Sequence, residues 1–292
     1  MIKITIIIST YNAGNTLKQT LDSIKYQTYP NIELIIVDGE STDNTIDIIK
    51  EYDNIISKWI SESDTGIYNA WNKALNFVTG DYVAFIGADD CYCDYDVIED
   101  IVKNIDKKTN ILSTPILIVD EKNKTEQLLE NKLLKNEILA GKMIPHPGMF
   151  VRENILKKYK FNEKNKIISD YELLLQYILD GGQIKFIDRP TVYFSNSGIS
   201  SANYGDEFWK IRLYEHILLF EKYCINKNFL FEFLDNNLML ENFKNFKLYI
   251  KNTIMIILIK LNLLNNLKVI LKKSRKHKCN LKICRWCKRY AK

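Results

Sequence analysis

A chain of 292 residues that is 46% apolar and 26% charged is too apolar to stay disordered, and it is long enough for one large core with an appendage. Its net charge of +5 hides a split: ten of its 41 bases fall in residues 272–292, which hold no acid, while the other 31 face 36 acids. A body near −5 excludes general binding of polyanions, so no nucleic-acid partner is expected. In chain order, Ile4–Ile8 is an unbroken β-branched run, as in a strand buried on both faces. Leu17, Leu21 and Ile24 then recur at helical spacing, and Ile32–Val37 is a second buried strand. Asp43 is placed to cap a helix carrying Ile46 and Ile49, and Asp64 to cap another carrying Ile67, Trp71, Ala74 and Leu75. Tyr82–Ile86 is the third strand, and the βαβαβ order predicts a parallel sheet with right-handed crossovers. Residues 100–205 are mixed, with a helix near 168–179 and a strand near 184–187. From Glu207 onward the chain reads helical.

The three strand ends carry the chemistry. They read Ser9-Thr10-Tyr11-Asn12, Asp38, and Gly87-Ala88-Asp89-Asp90. Parallel strands bring all three to one sheet edge, where ligands of open α/β sheets bind. Taken singly, Asp38 reads as a turn residue before Gly39, Asp89-Asp90 as a loop with a cap, and Asp64 as a cap. Taken together they describe a cleft. There is no Walker lysine motif and no GxGxxG after the first strand, so a glycine loop does not cradle phosphate. Two adjacent carboxylates, Asp89 and Asp90, suit a hard divalent cation, Mn2+ or Mg2+, and the phosphate oxygens it prefers. A lone carboxylate such as Asp38 suits a base N–H or a ribose hydroxyl, and Thr10 and Tyr11 can hydrogen-bond and stack on a base. Asn12 closes the first strand end, and Asn72 and Lys73 follow in reach of a ribose or phosphate.

These residues stand in longer matching segments: IIISTYNAGNTLKQTLDSIKYQTYPNIELIIVDGESTDNT, SESDTGIYNAWNKAL, TGDYVAFIGADD, HPGMFV, SDYELLLQYILDGG and SGISS. Over roughly residues 2–201 the chain resembles family 2 glycosyltransferases of the GT-A fold. The resemblance implies an α/β domain whose residues 1–100 bind the nucleotide-sugar and whose residues 101–205 form the acceptor-binding and catalytic half. Residues 206–292 are left as a helical extension with a basic tail. It implies transfer of a sugar, with inversion, from a nucleotide-sugar, most often a UDP-sugar, to a saccharide or lipid-linked saccharide in surface-polysaccharide assembly (O-antigen, capsule or lipooligosaccharide). Within it Asp38 matches the residue that holds the base, Thr10 and Tyr11 line base and ribose, and Asp89-Asp90 matches the diphosphate-metal motif. Asp170 matches the catalytic base, and His146, between Pro145 and Pro147, matches a position near the acceptor cleft. Asp64 and Asn72 complete the expected donor-binding set. Two departures are Gly87, where the family's Asp-x-Asp-Asp has its first Asp, and Asn44, where Gly is common. A sugar-nucleotide pyrophosphorylase would want a basic, glycine-rich loop at Ser9–Asn15, which has one Gly and no Arg. A catalytically inactive nucleotide-sugar-binding protein would have no need of Asp89, Asp90 and Asp170 together.

Leu263, Leu264, Leu267, Ile270 and Leu271 form an apolar stripe directly before the ten bases. The pattern fits an interfacial helix with a polybasic anchor on an anionic membrane, or a helix packed on the body. His277, Cys279, Cys284 and Cys287 lack the paired second knuckle of a zinc site. Six cysteines in a chain this long suggest no secreted disulfide framework. The apolar run of MIKITIIIST is short for a signal peptide, and no run approaches the roughly 18 apolar residues of a spanning helix. The expected location is cytoplasmic, peripheral on the inner membrane.

Overall fold

The computed structural model describes residues 1–120, 124–195 and 205–226, with Phe229 and Phe233. Residues 1–234 form one compact unit and 235–292 another. The apolar stripe, the basic tail and its cysteines lie outside the described residues.

The chain opens with β1 (Ile4–Thr10), α1 (Leu17–Lys25), β2 (Ile32–Asp38) and α2 (Thr45–Glu51). β3 (Lys58–Ser61), α3 (Ile67–Leu75), β4 (Tyr82–Gly87), β5 (Cys91–Tyr92) and α4 (Val97–Asn104) follow. Next come β6 (Ile111–Ser113), β7 (Ile116–Asp120), β8 (Thr125–Leu129) and α5 (Lys135–Leu139). A 3-10 turn at His146–Gly148 leads into β9 (Met149–Arg152), α6 (Glu153–Tyr159) and α7 (Ser169–Leu179). β10 (Ile184–Phe186), β11 (Val192–Ser195) and α8 (Gly205–Lys222) complete the described chain.

Seven strands form the main sheet in the order β10-β6-β9-β4-β1-β2-β3. β1 lies at its heart, parallel to β2 and β4, and its Ile4, Ile6, Ile7 and Ile8 are wholly buried. A β-branched run whose one polar member, Thr5, is itself buried and hydrogen-bonded to Glu33 fits a strand covered by helices on both sheet faces. α1 contributes Leu17, Leu21 and Ile24 to that cover, as its spacing predicts. As expected, β1, β2 and β4 run parallel, and the main sheet is mostly parallel, with β9 antiparallel to both β4 and β6. Two expectations are corrected. A strand between the second and the expected third, β3, pairs parallel with β2, so Tyr82–Gly87 is the fourth strand. Neither Asp43 nor Asp64 is a helix N-cap. Asp43 precedes the cap position Asn44 and accepts from Thr45, while Asp64 accepts the Gly66 N–H two residues on. A second sheet of order β5-β11-β7-β8 brings the end of β11 back toward the end of β4. The helix α8 belongs to the same compact unit as the sheets, although the sequence places it in the extension.

Candidate active site

Parallel strands that start together end together. Thr10 of β1 pairs with Asp38 of β2, Asp38 with Ser61 of β3, and Ser9 with Gly87 of β4. The expected strand-end residues therefore share one edge.

Asp38 is wholly buried there. Its Oδ1 accepts from Thr10 Oγ1 at 2.8 Å and Ser41 Oγ at 2.5 Å. Its Oδ2 accepts from the Ser41 N–H at 2.9 Å and Ser61 Oγ at 2.7 Å. A carboxylate offers about four acceptor positions, and four donors meet this one. Burial pushes its pKa up, but the donors of Ser41, Ser61 and Thr10 outweigh burial and hold it below the ordinary carboxylate value. Asp38 is thus a charged clasp that gathers three strand ends and the loop after β2. Asn12 extends the clasp. In the left-handed region at φ 50°, which Asn tolerates, it donates its N–H to Ser41 Oγ and accepts the Thr42 N–H.

Tyr11 and Asp64 lie at the surface of this clasp. Tyr11 is 68% exposed. A Cβ at Gly39 would stand 2.8 Å from Asp64 Oδ2 and 3.5 Å from Tyr11 Cδ2. Asp64 therefore lies over the end of β2 in the space that a side chain at position 39 would take. The Asn72 amide donates to the Phe161 carbonyl and Glu163, and its oxygen accepts the Phe161 N–H, so it ties α3 to the segment after α6. Lys73 is likewise engaged, by the Ser63 carbonyl and Glu62.

At the end of β4 the two carboxylates differ. Asp90 is buried, with Oδ1 accepting the Ser195 N–H at 2.9 Å and Oδ2 the Gly87 N–H at 3.1 Å. Burial and the Asp89 charge push Asp90 up to about 7 against the pull of those N–H groups. Burial raises Asp89 too, against its own N–H and Ser195. Two carboxylates raised by burial, one of them also by its neighbour, fit a divalent cation, which would relieve both. Asp89 is the better ligand, since each Asp90 oxygen already accepts an N–H. Among the described residues no cluster of three or more His, Cys, Asp or Glu side chains suits a metal. Gly87 is explained here: a Cβ would stand 2.6 Å from Asp90 Oδ2 and 2.9 Å from Asp89 Oδ1. The pair folds back over the position where the family's first Asp would sit.

Asp170 stands in the first turn of α7. Its Oδ1 accepts its neighbour's N–H, from Tyr171, at 2.9 Å and Tyr68 Oη of α3 at 3.1 Å. His146 stacks on Trp71 with ring centroids 4.8 Å apart and lies 5.3 Å from Phe85 of β4. Burial lowers its pKa although the Asp170 charge opposes this, so the imidazole is neutral at pH 7. The His146–aromatic wall links the Asp170 helix to β4 and α3.

The family model described as glycosyl transferase family 2 matches residues 5–167. The chain belongs to glycosyltransferase family 2. Glycosyltransferase GlyA of Streptococcus pneumoniae serotype 4 is 39% identical over 105 residues, which are 35% of this chain and 15% of that protein. The chain therefore spans a small part of that relative's length. Among solved structures, TarS of S. aureus (residues 1–349) superposes with a TM-score of 0.64 at 20% identity, covering 84% of this chain and 74% of that one. Mannosyltransferase PcManGT of Pyrobaculum calidifontis, in complex with GDP-Man and Mn2+, superposes at 0.58 and 21% identity, covering 77% and 65%. The chain thus has the fold of these GT-A glycosyltransferases.

Several residues of this site carry no sequence signal of their own. Ser61 sits on β3, whose KWIS has too few apolar residues to stand out. Ser195 and Ser41 act in part through their backbone N–H groups, which any residue but proline has. Tyr68 lies inside a matched segment, yet its reach to Asp170, 102 residues away, is visible only in three dimensions.

Proposed function

We propose that this glycosyltransferase transfers a sugar with inversion from a UDP-sugar to a saccharide or lipid-linked saccharide acceptor. The observation that carries the reading is the in-register arrival of β1, β2 and β4 at one edge, Thr10 beside Asp38 and Ser9 beside Gly87, which supports a shared donor site with Tyr11, Asp64 and Asp89. Tyr11 stacks on the base and Asp64 accepts from its N–H, on a loop that Thr10, Asn12 and Asp38 hold in shape. Asp89, with Asp90 fixed behind it, would hold Mn2+ or Mg2+. A divalent cation there supplies charge neutralisation for the departing diphosphate. Asp170 takes the acceptor proton on Oδ2, since Oδ1 already accepts the Tyr171 N–H. The acceptor oxygen bonds to the anomeric carbon as the bond from that carbon to the diphosphate breaks, and UDP leaves. His146, set against the rings of Trp71 and Phe85, shapes the acceptor side.

The solved complex of TarS with UDP-GlcNAc, at TM-score 0.60, and that of PcManGT with Mn2+ support the donor class and the cation. Surface-polysaccharide assembly on the inner face of the membrane is the setting we assign, with the basic tail as the contact. The test is UDP release from a panel of UDP-sugars with Mn2+. EDTA is expected to abolish release, and full activity in EDTA would refute the cation. Asp170→Asn is expected to cost at least ~100-fold in turnover while UDP affinity stays within about twofold. Collapse of UDP affinity instead would make Asp170 a donor-binding or structural residue.

A further inference from the structure

The helix α8 follows the segment matched by the family, 5–167, and carries a buried acid with a specific partner set. Glu215 is 5% exposed. Its carboxylate accepts three consecutive backbone N–H groups: Lys166 at 2.6 Å, Ile167 at 3.1 Å and Ile168 at 3.2 Å. Ile168 is the cap position of α7, and Asp170 follows two residues later. Three successive N–H groups converging on one anion form a backbone nest, and here the occupant belongs to the chain itself.

The same stretch is held from the opposite side. Tyr68 Oη reaches the Ile167 carbonyl at 2.7 Å and Asp170 Oδ1 at 3.1 Å. Farther along, α8 and the residue after it grip the two residues that follow Asp170. His216 stacks on Tyr171 with centroids 4.9 Å apart, and Lys222 and Tyr223 donate to Glu172 at 2.6 and 2.7 Å. Residues on both sides of Asp170 are thus fixed by one helix. A buried acid costs desolvation, and burial does raise Glu215 above its ordinary value while the three N–H groups pull it back. An apolar residue could pack α8 at lower cost, but it could not orient three peptide groups. The Arg212 guanidinium, about one turn before Glu215 on α8, adds positive charge toward Asp170.

We infer that Glu215 is a positioning residue for the reaction, closing the nest at Lys166–Ile168 and so fixing the direction in which Asp170 presents its carboxylate. The inference rests on the assignment of Asp170 as base. A carboxylate displaced by about an ångström can lose on the order of 100-fold in rate, so the effect belongs in kcat and not in donor binding.

The test is a double-mutant cycle on the full chain, read as UDP release from a turned-over UDP-sugar with water as acceptor. Glu215→Gln keeps the size but turns an N–H donor toward the nest. It is expected to lower kcat at least ~10-fold with the donor KM within about twofold. In the Asp170→Asn background the same substitution is expected to cost less than twofold, because there is no base left to misplace. An equal loss in both backgrounds would overturn the inference and make Glu215 a general folding residue, and so would an unchanged kcat in the single variant. If Asp170→Asn alone keeps full turnover, it is the base assignment that fails. Should Glu215→Gln not fold, Glu215→Asp, which keeps the charge and withdraws it from the nest, is read in the same cycle with the same outcomes.

Discussion

At Gly39 the absence of a side chain decides which carboxylate lies over the end of β2. Asp38 is spent on Thr10, Ser41 and Ser61, and Asp64 Oδ2 fills the space beside Tyr11 where a Cβ would be. Gly39→Ala has nowhere to put its methyl without moving Asp64. The carboxylate is the far end of a side chain and can move, so the fold tolerates the change and the ligand site does not. UDP affinity is expected to fall about 10-fold, or roughly 1.4 kcal/mol, with Tm nearly unchanged. Asp64→Ala is expected to lose a similar factor, and the two losses should not add, since each removes the same contact. Titration calorimetry with UDP decides it: additive losses would mean that Gly39 and Asp64 act separately. Asp38→Asn is the contrasting case. An amide cannot accept from four donors, and a buried donor left without a partner costs about 1–3 kcal/mol. Its main effect is expected in Tm, measured without ligand. A fall in UDP affinity with unchanged Tm would return the base contact to Asp38.

At the scale of elements, a second clasp holds the opposite, amino-terminal ends of the strands. Glu33 of β2 accepts from Thr5 of β1 at 2.6 Å, from the Thr79 N–H at 2.9 Å just before β4, and from Lys3 at 3.1 Å. Burial works against its charge, but Thr5, Thr79 and Lys3 outweigh it and bring its pKa from 4.5 to about 2. A depressed carboxylate stabilises the fold above its unfolded pKa, and that stability is lost as pH falls from about 4.5 toward 2. Glu33→Gln is expected to be less stable at pH 7 and to lose less than the native chain on acidification, which urea unfolding at pH 7 and pH 3 would show. Parallel slopes would mean that Glu33 is not the titrating group. The elements legible in the sequence are those with a dense apolar run or a helical period: Ile4–Ile8 of β1 and Ile32–Val37 of β2, interrupted only by Thr5 and Glu33, and the Leu17-Leu21-Ile24 stripe of α1. β3 is not legible, because an edge strand of four residues, with both ends exposed and a half-buried middle, shows neither an apolar run nor clear alternation. The strand ends are legible as a set, since parallel order alone aligns Thr10, Asp38 and Gly87. What each does is not. Which of Asp38 and Asp64 is saturated depends on Ser41, Ser61 and Gly39, and which of Asp89 and Asp90 is tied depends on Ser195, 105 residues away.

At the scale of the whole molecule, charge is segregated along the chain. Ten bases and no acid occupy residues 272–292, directly after the Leu263–Leu271 stripe, while the rest carries a net −5. No helix among the described residues is long and apolar enough to cross a membrane. An anionic leaflet attracts bases at about 1 kcal/mol each near the surface. The apolar stripe would add burial that salt does not screen. Full-length protein is therefore expected to sediment with anionic liposomes at low salt and to be released only in part at high salt. Truncation after Asn262 removes stripe and bases together and is expected to leave the protein in the supernatant at both salt concentrations. UDP release with water as acceptor should survive the truncation, because Asp89, Asp170 and Glu215 all lie within residues 1–234, which form a compact unit of their own. The two readouts separate the alternatives. Full-length protein that stays in the supernatant at low salt has no anchor in its tail. Truncated protein that loses UDP release would show instead that residues beyond 262 support the catalytic body, as a helix packed on that body would.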